Sequence, residues 1–89
     1  MVSENIVIVN KLGLHARAAA KFVGIATKFE SSIQIAKDGR SVDGKSIMSV
    51  MMLAASCGTT VSIEVDGNDE NDALAAIKQL INNKFDEGE

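Results

Sequence analysis

The apolar positions of this 89-residue chain change period along its length, and the changes predict its elements. Val61, Ile63 and Val65 alternate with Ser62 and Glu64, the two-residue period of a half-buried strand. Ile33 and Ile35 alternate with Ser32 and Gln34 in the same way. Asp38-Gly39 then signals a tight hairpin, with Arg40 to Val42 as the returning strand. Ile6 to Val9 is a β-branched run and predicts the first strand. Elsewhere the period is helical. Ala19, Phe22, Val23, Ala26 and Phe29 recur at spacings of three and four, which predicts a helix from Ala16 to about Lys28. Gly24 inside it costs about 1 kcal/mol against alanine, so a close approach is expected there. Ser46 is placed to cap a short helix from Ile47 to about Ala54, with Gly58 beyond its end. Asp69 is placed to cap a last helix whose apolar face is Ala73, Ile77, Leu80, Ile81 and the stem of Lys84. The predicted order is βαββαβα. Grouped antiparallel strands with amphipathic helices on one face make a two-layer α+β domain. Residues 1–89 contain no linker, repeat or low-complexity stretch and read as a single domain.

Composition narrows the functional classes. Nine Lys and Arg stand against twelve Asp and Glu, and there is no Trp or Tyr, which argues against nucleic-acid binding. No apolar run is long enough to span a bilayer, and no signal segment opens the chain, so a cytoplasmic protein is expected. The one cysteine, Cys57, excludes an internal disulfide framework, fits a reducing compartment and reads as a small, partly buried packing residue. One His and one Cys do not make an ordinary zinc site, and no cofactor is implied.

Charge and chemistry converge on one segment. Residues 5–29 hold Lys11, Arg17, Lys21 and Lys28 and no acid, although the chain as a whole is acidic. The only histidine, His15, lies in this basic zone, immediately before the alanine-rich helix. A helix start presents unpaired N–H groups and a positive dipole end, which suit an anion. A neutral imidazole there is a nucleophile, and the same N–H groups together with Arg17 would hold a phosphoryl group transferred to it. The plainer alternative is that His15 caps the helix and Arg17 is a solvated charge.

Three other patterns are weaker. Gly39-Arg40-Ser41-Val42-Asp43-Gly44-Lys45-Ser46 matches the nucleotide P-loop letter for letter, but it overlaps a predicted hairpin and strand and carries an acid where phosphates would lie. Asp66-Gly67-Asn68-Asp69-Glu70 begins like a calcium loop, yet Asn71 and Ile77 stand where glycine and glutamate are needed. The helix after Ser46 has more apolar residues than one buried face uses. Ile47, Met48 and Met51 are therefore either core or part of an adaptable docking patch.

Asn10-Lys11-Leu12-Gly13-Leu14-His15-Ala16-Arg17 resembles the active-site motif of the histidine-containing phosphocarrier (HPr) family of the phosphotransferase system. Gly44-Lys45-Ser46-Ile47-Met48 resembles that family's regulatory-serine motif, and chain length and element order agree. The resemblance implies an open-faced β-sandwich, with a four-stranded antiparallel sheet and three helices on one side. It implies a monomeric carrier, not a free-standing enzyme. Enzyme I would phosphorylate His15 on Nδ1 at the expense of phosphoenolpyruvate, and Arg17 would steady the phosphoryl oxygens. The group would then pass to enzyme IIA-type or regulatory acceptors. Ala16, Ala20, Ile47, Met48 and Met51 would form the partner-binding surface, and HPr kinase/phosphorylase would modify Ser46. Ala18 stands where the family usually has proline, a change that keeps the helix and adds an N–H donor. The ending Phe85-Asp86-Glu87 is similar to that of the family's nitrogen-related branch.

Overall fold

The computed structural model describes residues 1–86, so Glu87 of the ending noted above lies outside the described residues. Its elements are β1 (Val2–Val7), α1 (Ala16–Ala26), β2 (Ser32–Lys37), β3 (Arg40–Asp43), α2 (Ile47–Met52), β4 (Thr60–Asp66) and α3 (Glu70–Asn82), followed by a short turn at Lys84–Asp86. The order is the expected βαββαβα. The four strands form one antiparallel sheet in the order β1-β4-β2-β3. One face carries Ile6, Ile33, Ile35, Val61, Ile63 and Val65, all buried under the three helices. The other face presents Ser3, Asn5, Gln34, Ser41, Ser62 and Glu64. Strict alternation makes this division, because successive side chains leave opposite sides of a pleated strand. Phe22 and Ala26 of α1, Val50 of α2 and Ile77 and Ile81 of α3 close the core without residual exposure. Each large apolar side chain buried this way contributes about 1.5–3 kcal/mol.

The hairpin at Asp38-Gly39 forms as expected, with both residues at positive φ (52° and 80°). Strand β1 starts earlier than the β-branched run suggested. It takes in the polar residues from Val2 onward because they pair with β4, from Val2 opposite Val65 to Val7 opposite Thr60. Ile8 continues the pairing beyond the strand, donating to the Thr59 carbonyl at 2.8 Å and accepting from Gly58 N–H at 2.7 Å.

Several local expectations are corrected. Gly24 makes no close approach: nothing lies within 4 Å of where its Cβ would stand, because it sits on the solvent side of α1. The tight glycine of the core is Gly44, whose Cβ would fall 2.8 Å from Ile33 Cγ2 and 3.1 Å from Phe22 Cε1. Asp69 occupies the N-cap position of α3, but its side chain does not cap the helix. Its carboxylate instead accepts Glu30 N–H at 2.9 Å, Ser31 N–H at 3.0 Å and the Ser31 hydroxyl, pinning the α1–β2 connection to the start of α3. These donors hold Asp69 below the usual carboxylate range, with the Ser31 hydroxyl the largest cause and Glu30 N–H the next. Lys84 does not extend the apolar face of α3. It is exposed, and the chain turns through positive φ at Lys84, Phe85 and Asp86 so that Phe85 enters the core fully buried. Lys21 Nζ donates to the Phe85 carbonyl at 2.8 Å and fixes that turn. Helix α2 stops at Met52, well short of Gly58. Ala54 takes positive φ (54°), and Lys37 Nζ donates to the carbonyls of Leu53 and Ala54 at 3.1 and 3.3 Å. No helix among the described residues is long and apolar enough to cross a membrane.

Candidate functional site

The site is built on the loop from β1 to α1. His15 takes the N-cap position of α1, with extended backbone (φ −74°, ψ 179°), and its carbonyl accepts Ala19 N–H at 2.8 Å. Its side chain is half-buried and does not cap the helix, so the capping alternative for this residue is not what the fold uses. The first-turn N–H groups of α1 have no intrahelical acceptor, and the helix carries no acid in that turn. Arg17 is exposed on the same turn. Ala16 and Ala20 are exposed one turn apart, while Ala18 and Ala19 face the core. Ala18 therefore substitutes for the family's usual proline at a wholly buried first-turn position, where alanine fits without disturbing the helix.

Helix α2 packs against α1. Ser46 is its N-cap in fact as well as position: the Ser46 hydroxyl oxygen accepts Ser49 N–H at 3.3 Å, and Ser46 C=O accepts Val50 N–H at 3.0 Å. Val50 and Leu53 are the residues of this segment that enter the core. Ile47 (42% exposed), Met48 (69%) and Met51 (37%) stay in solvent, so the surplus of apolar residues forms a surface patch and not a second buried face. Met52 of the same helix is exposed as well, and so is Leu12, three residues before His15, which the sequence reading had not singled out. Leu12 carried no periodic signal, because it belongs to a loop.

The P-loop-like segment is divided between a hairpin turn, an antiparallel strand and the turn into α2. Lys45 Nζ donates to the Phe29 carbonyl at 2.8 Å, and Asp43 accepts Lys45 N–H at 2.9 Å. That is a connection to the end of α1, not a run of N–H groups wrapped around an anion. Cys57 is exposed, not packed as expected. A turn from Ser56 to Thr59, closed by Thr59 N–H to Ser56 C=O at 3.0 Å, places it at the tip. No group of three or more His, Cys, Asp or Glu side chains suited to a metal ion occurs among the described residues.

Comparison with known proteins agrees with this geometry. Residues 2–83 match the model of the phosphotransferase-system HPr component phosphorylation site. The chain is 54% identical to the phosphocarrier protein HPr of Pseudomonas aeruginosa and 53% identical to that of Cupriavidus necator, in each case over the whole of both chains. Its fold is similar to the crystal structure of HPr-C-His from Thermoanaerobacter tengcongensis, with a TM-score of 0.95, 47% identity and 98% of each chain covered. Family model, full-length relatives and fold thus coincide on one chain, which belongs to the HPr family of phosphotransferase-system phosphocarriers.

Proposed function

We propose that residues 1–89 act as a single cytoplasmic phosphocarrier domain in which His15 accepts a phosphoryl group from phosphorylated enzyme I and passes it to enzyme IIA-type or regulatory acceptors. The observation that carries this reading is the placement of the only histidine at the N-cap of α1, partly open to solvent, beside first-turn N–H groups that have no acceptor within the helix. A neutral imidazole nitrogen attacks the phosphorus as the donor's N–P bond breaks. The group then sits where helix N–H donors and the Arg17 guanidinium meet its oxygens. The site is shallow, so a second protein reaches the same phosphorus from outside for the next transfer. Ala16 and Ala20 offer no side-chain obstacle on α1, and Ile47, Met48 and Met51 supply apolar area for docking on the neighbouring helix. Ser46 is the regulatory site, modified by HPr kinase/phosphorylase. A phosphate there adds about −1.5 to −2 charge beside an apolar patch that partners must desolvate.

Incubation with phosphoenolpyruvate and enzyme I, read by intact mass, tests the assignment. One phosphoryl group should be gained, labile to acid and stable to alkali, and lost altogether in His15→Ala. A His15→Ala protein that still gains it would exclude this histidine as the acceptor.

A further inference from the structure

Asn10 stands out among the polar residues because it is fully buried. Apart from Ser31, no other polar residue among the described residues is buried. Burying an amide is unfavourable unless its hydrogen bonds are made inside the protein. In Asn10 the side-chain N–H is bonded to the loop that leads to His15. Asn10 Nδ2 donates to the Gly13 carbonyl at 2.8 Å, and the Asn10 backbone carbonyl accepts Gly13 N–H at 3.2 Å. Gly13 is thus gripped at both its N–H and its C=O by one residue.

The far side of Gly13 is walled. A Cβ at this position would fall 2.5 Å from the Ala55 carbonyl oxygen and 2.8 Å from Ser56 Cα, and φ is +68°, so only glycine fits between Asn10 and the α2–β4 loop. The next peptide is fixed by the same wall, with Leu14 N–H donating to the Ala55 carbonyl at 2.8 Å and the Leu14 side chain buried. His15 follows, its carbonyl already inside the α1 ladder. The peptides from Gly13 to His15 are therefore held in sequence, and the Asn10 amide bonds into that series at the Gly13 carbonyl.

We propose that Asn10 is a positioning residue for phosphoryl transfer: its buried amide, clamped on Gly13 against the Ala55–Ser56 wall, sets the orientation in which His15 meets the incoming phosphorus. The proposal rests on His15 being the acceptor, and its test separates the two claims. Asn10→Ala removes the side-chain bond to the Gly13 carbonyl, keeps the backbone bond to Gly13 N–H and leaves the outer surface unchanged. Phosphorylation by enzyme I and phosphoenolpyruvate, measured well below the melting temperature of each variant, should show kcat reduced roughly tenfold, the scale of a modest misalignment of reacting groups, with KM for the carrier little changed. Amide hydrogen exchange should accelerate at Leu14 and His15 and not in α3. Asn10→Asp keeps the size but lacks the donor when ionised. Its rate relative to wild type at the same pH should rise as acid protonates the carboxyl and restores an O–H donor to Gly13, a rescue that a space-filling role would not produce. Wild-type kcat in both variants, or an Asn10→Asp to wild-type ratio independent of pH, would overturn the proposal. A wild-type protein that takes up no phosphoryl group at all would instead overturn the reading of His15.

Discussion

Single residues in this protein divide into those that face chemistry and those that hold the frame. Arg17 is exposed on the first turn of α1, and no structural contact is needed to explain it. Arg17→Ala should slow phosphoryl transfer while changing stability by less than about 0.5 kcal/mol, as surface substitutions do. A paired measurement of transfer rate and melting temperature checks this, and a large loss of stability at unchanged rate would reassign Arg17 to the frame. Asp69 is the opposite case. Its carboxylate collects donors from Glu30 and Ser31, and its folded pKa is depressed. The sign follows from linkage. Stability from this group is present above the unfolded value, near pH 4, and is lost as pH falls through the lower folded value. Asp69→Ala should therefore lower the melting temperature at neutral pH and narrow its gap from wild type in acid. A gap that stays constant with pH would show that the carboxylate charge is not what Ser31 and Glu30 recognise.

At the scale of elements, α2 is the informative one. It is six residues long, too short to persist without tertiary support, and it depends on the Ser46 cap at one end and Lys37 at the other. Ser46→Asp retains an oxygen for the Ser49 N–H, so the circular-dichroism spectrum should stay close to wild type. The added charge should slow phosphorylation of His15, with partial recovery at high salt. Wild-type rates in Ser46→Asp, and in protein phosphorylated at Ser46 itself, would leave Ser46 as a cap and nothing more. The outer side of the same helix gives a separate prediction. Met48 is 69% exposed, so Met48→Glu should alter stability by no more than about 0.5 kcal/mol while raising KM for the carrier in the enzyme I reaction. Unfolding of Met48→Glu would place that side chain in the frame.

For the molecule as a whole, stability depends on contacts far apart in sequence. Phe85 enters the core from the end of the described chain, and its carbonyl is held by Lys21 of α1. Phe85→Ala should cost about 3–5 kcal/mol, as large-to-small changes at fully buried aromatics do. Against a total of about 5–15 kcal/mol for a domain, that is enough to leave the variant partly unfolded at physiological temperature. Chemical denaturation read by circular dichroism measures it. A loss below about 1 kcal/mol would mean that the core closes without the final turn.

The sequence by itself determined the element order, the inward faces of α1, β2 and β4, the hairpin at Asp38-Gly39 and the placement of His15 and Ser46 at helix starts. Each depends on a period or a turn chemistry carried by neighbouring residues, and local sterics enforce it wherever the chain folds. Other features were decided only by tertiary structure. Asp69 carries the residue type of a cap, yet two backbone donors and a hydroxyl from the α1–β2 connection claim its carboxylate. Phe85 breaks the period of α3 and is buried through a left-handed turn that Lys21 anchors. Gly24 looked like a point of close approach, but the close approaches are at Gly44, against β2 and α1, and at Gly13, against the α2–β4 loop. Whether Ile47, Met48 and Met51 were core or surface was equally open in the sequence, since hydrophobicity states a preference for burial and not the partner that provides it. Placing α2 on α1 with Val50 and Leu53 inward settled which of its apolar residues remain exposed.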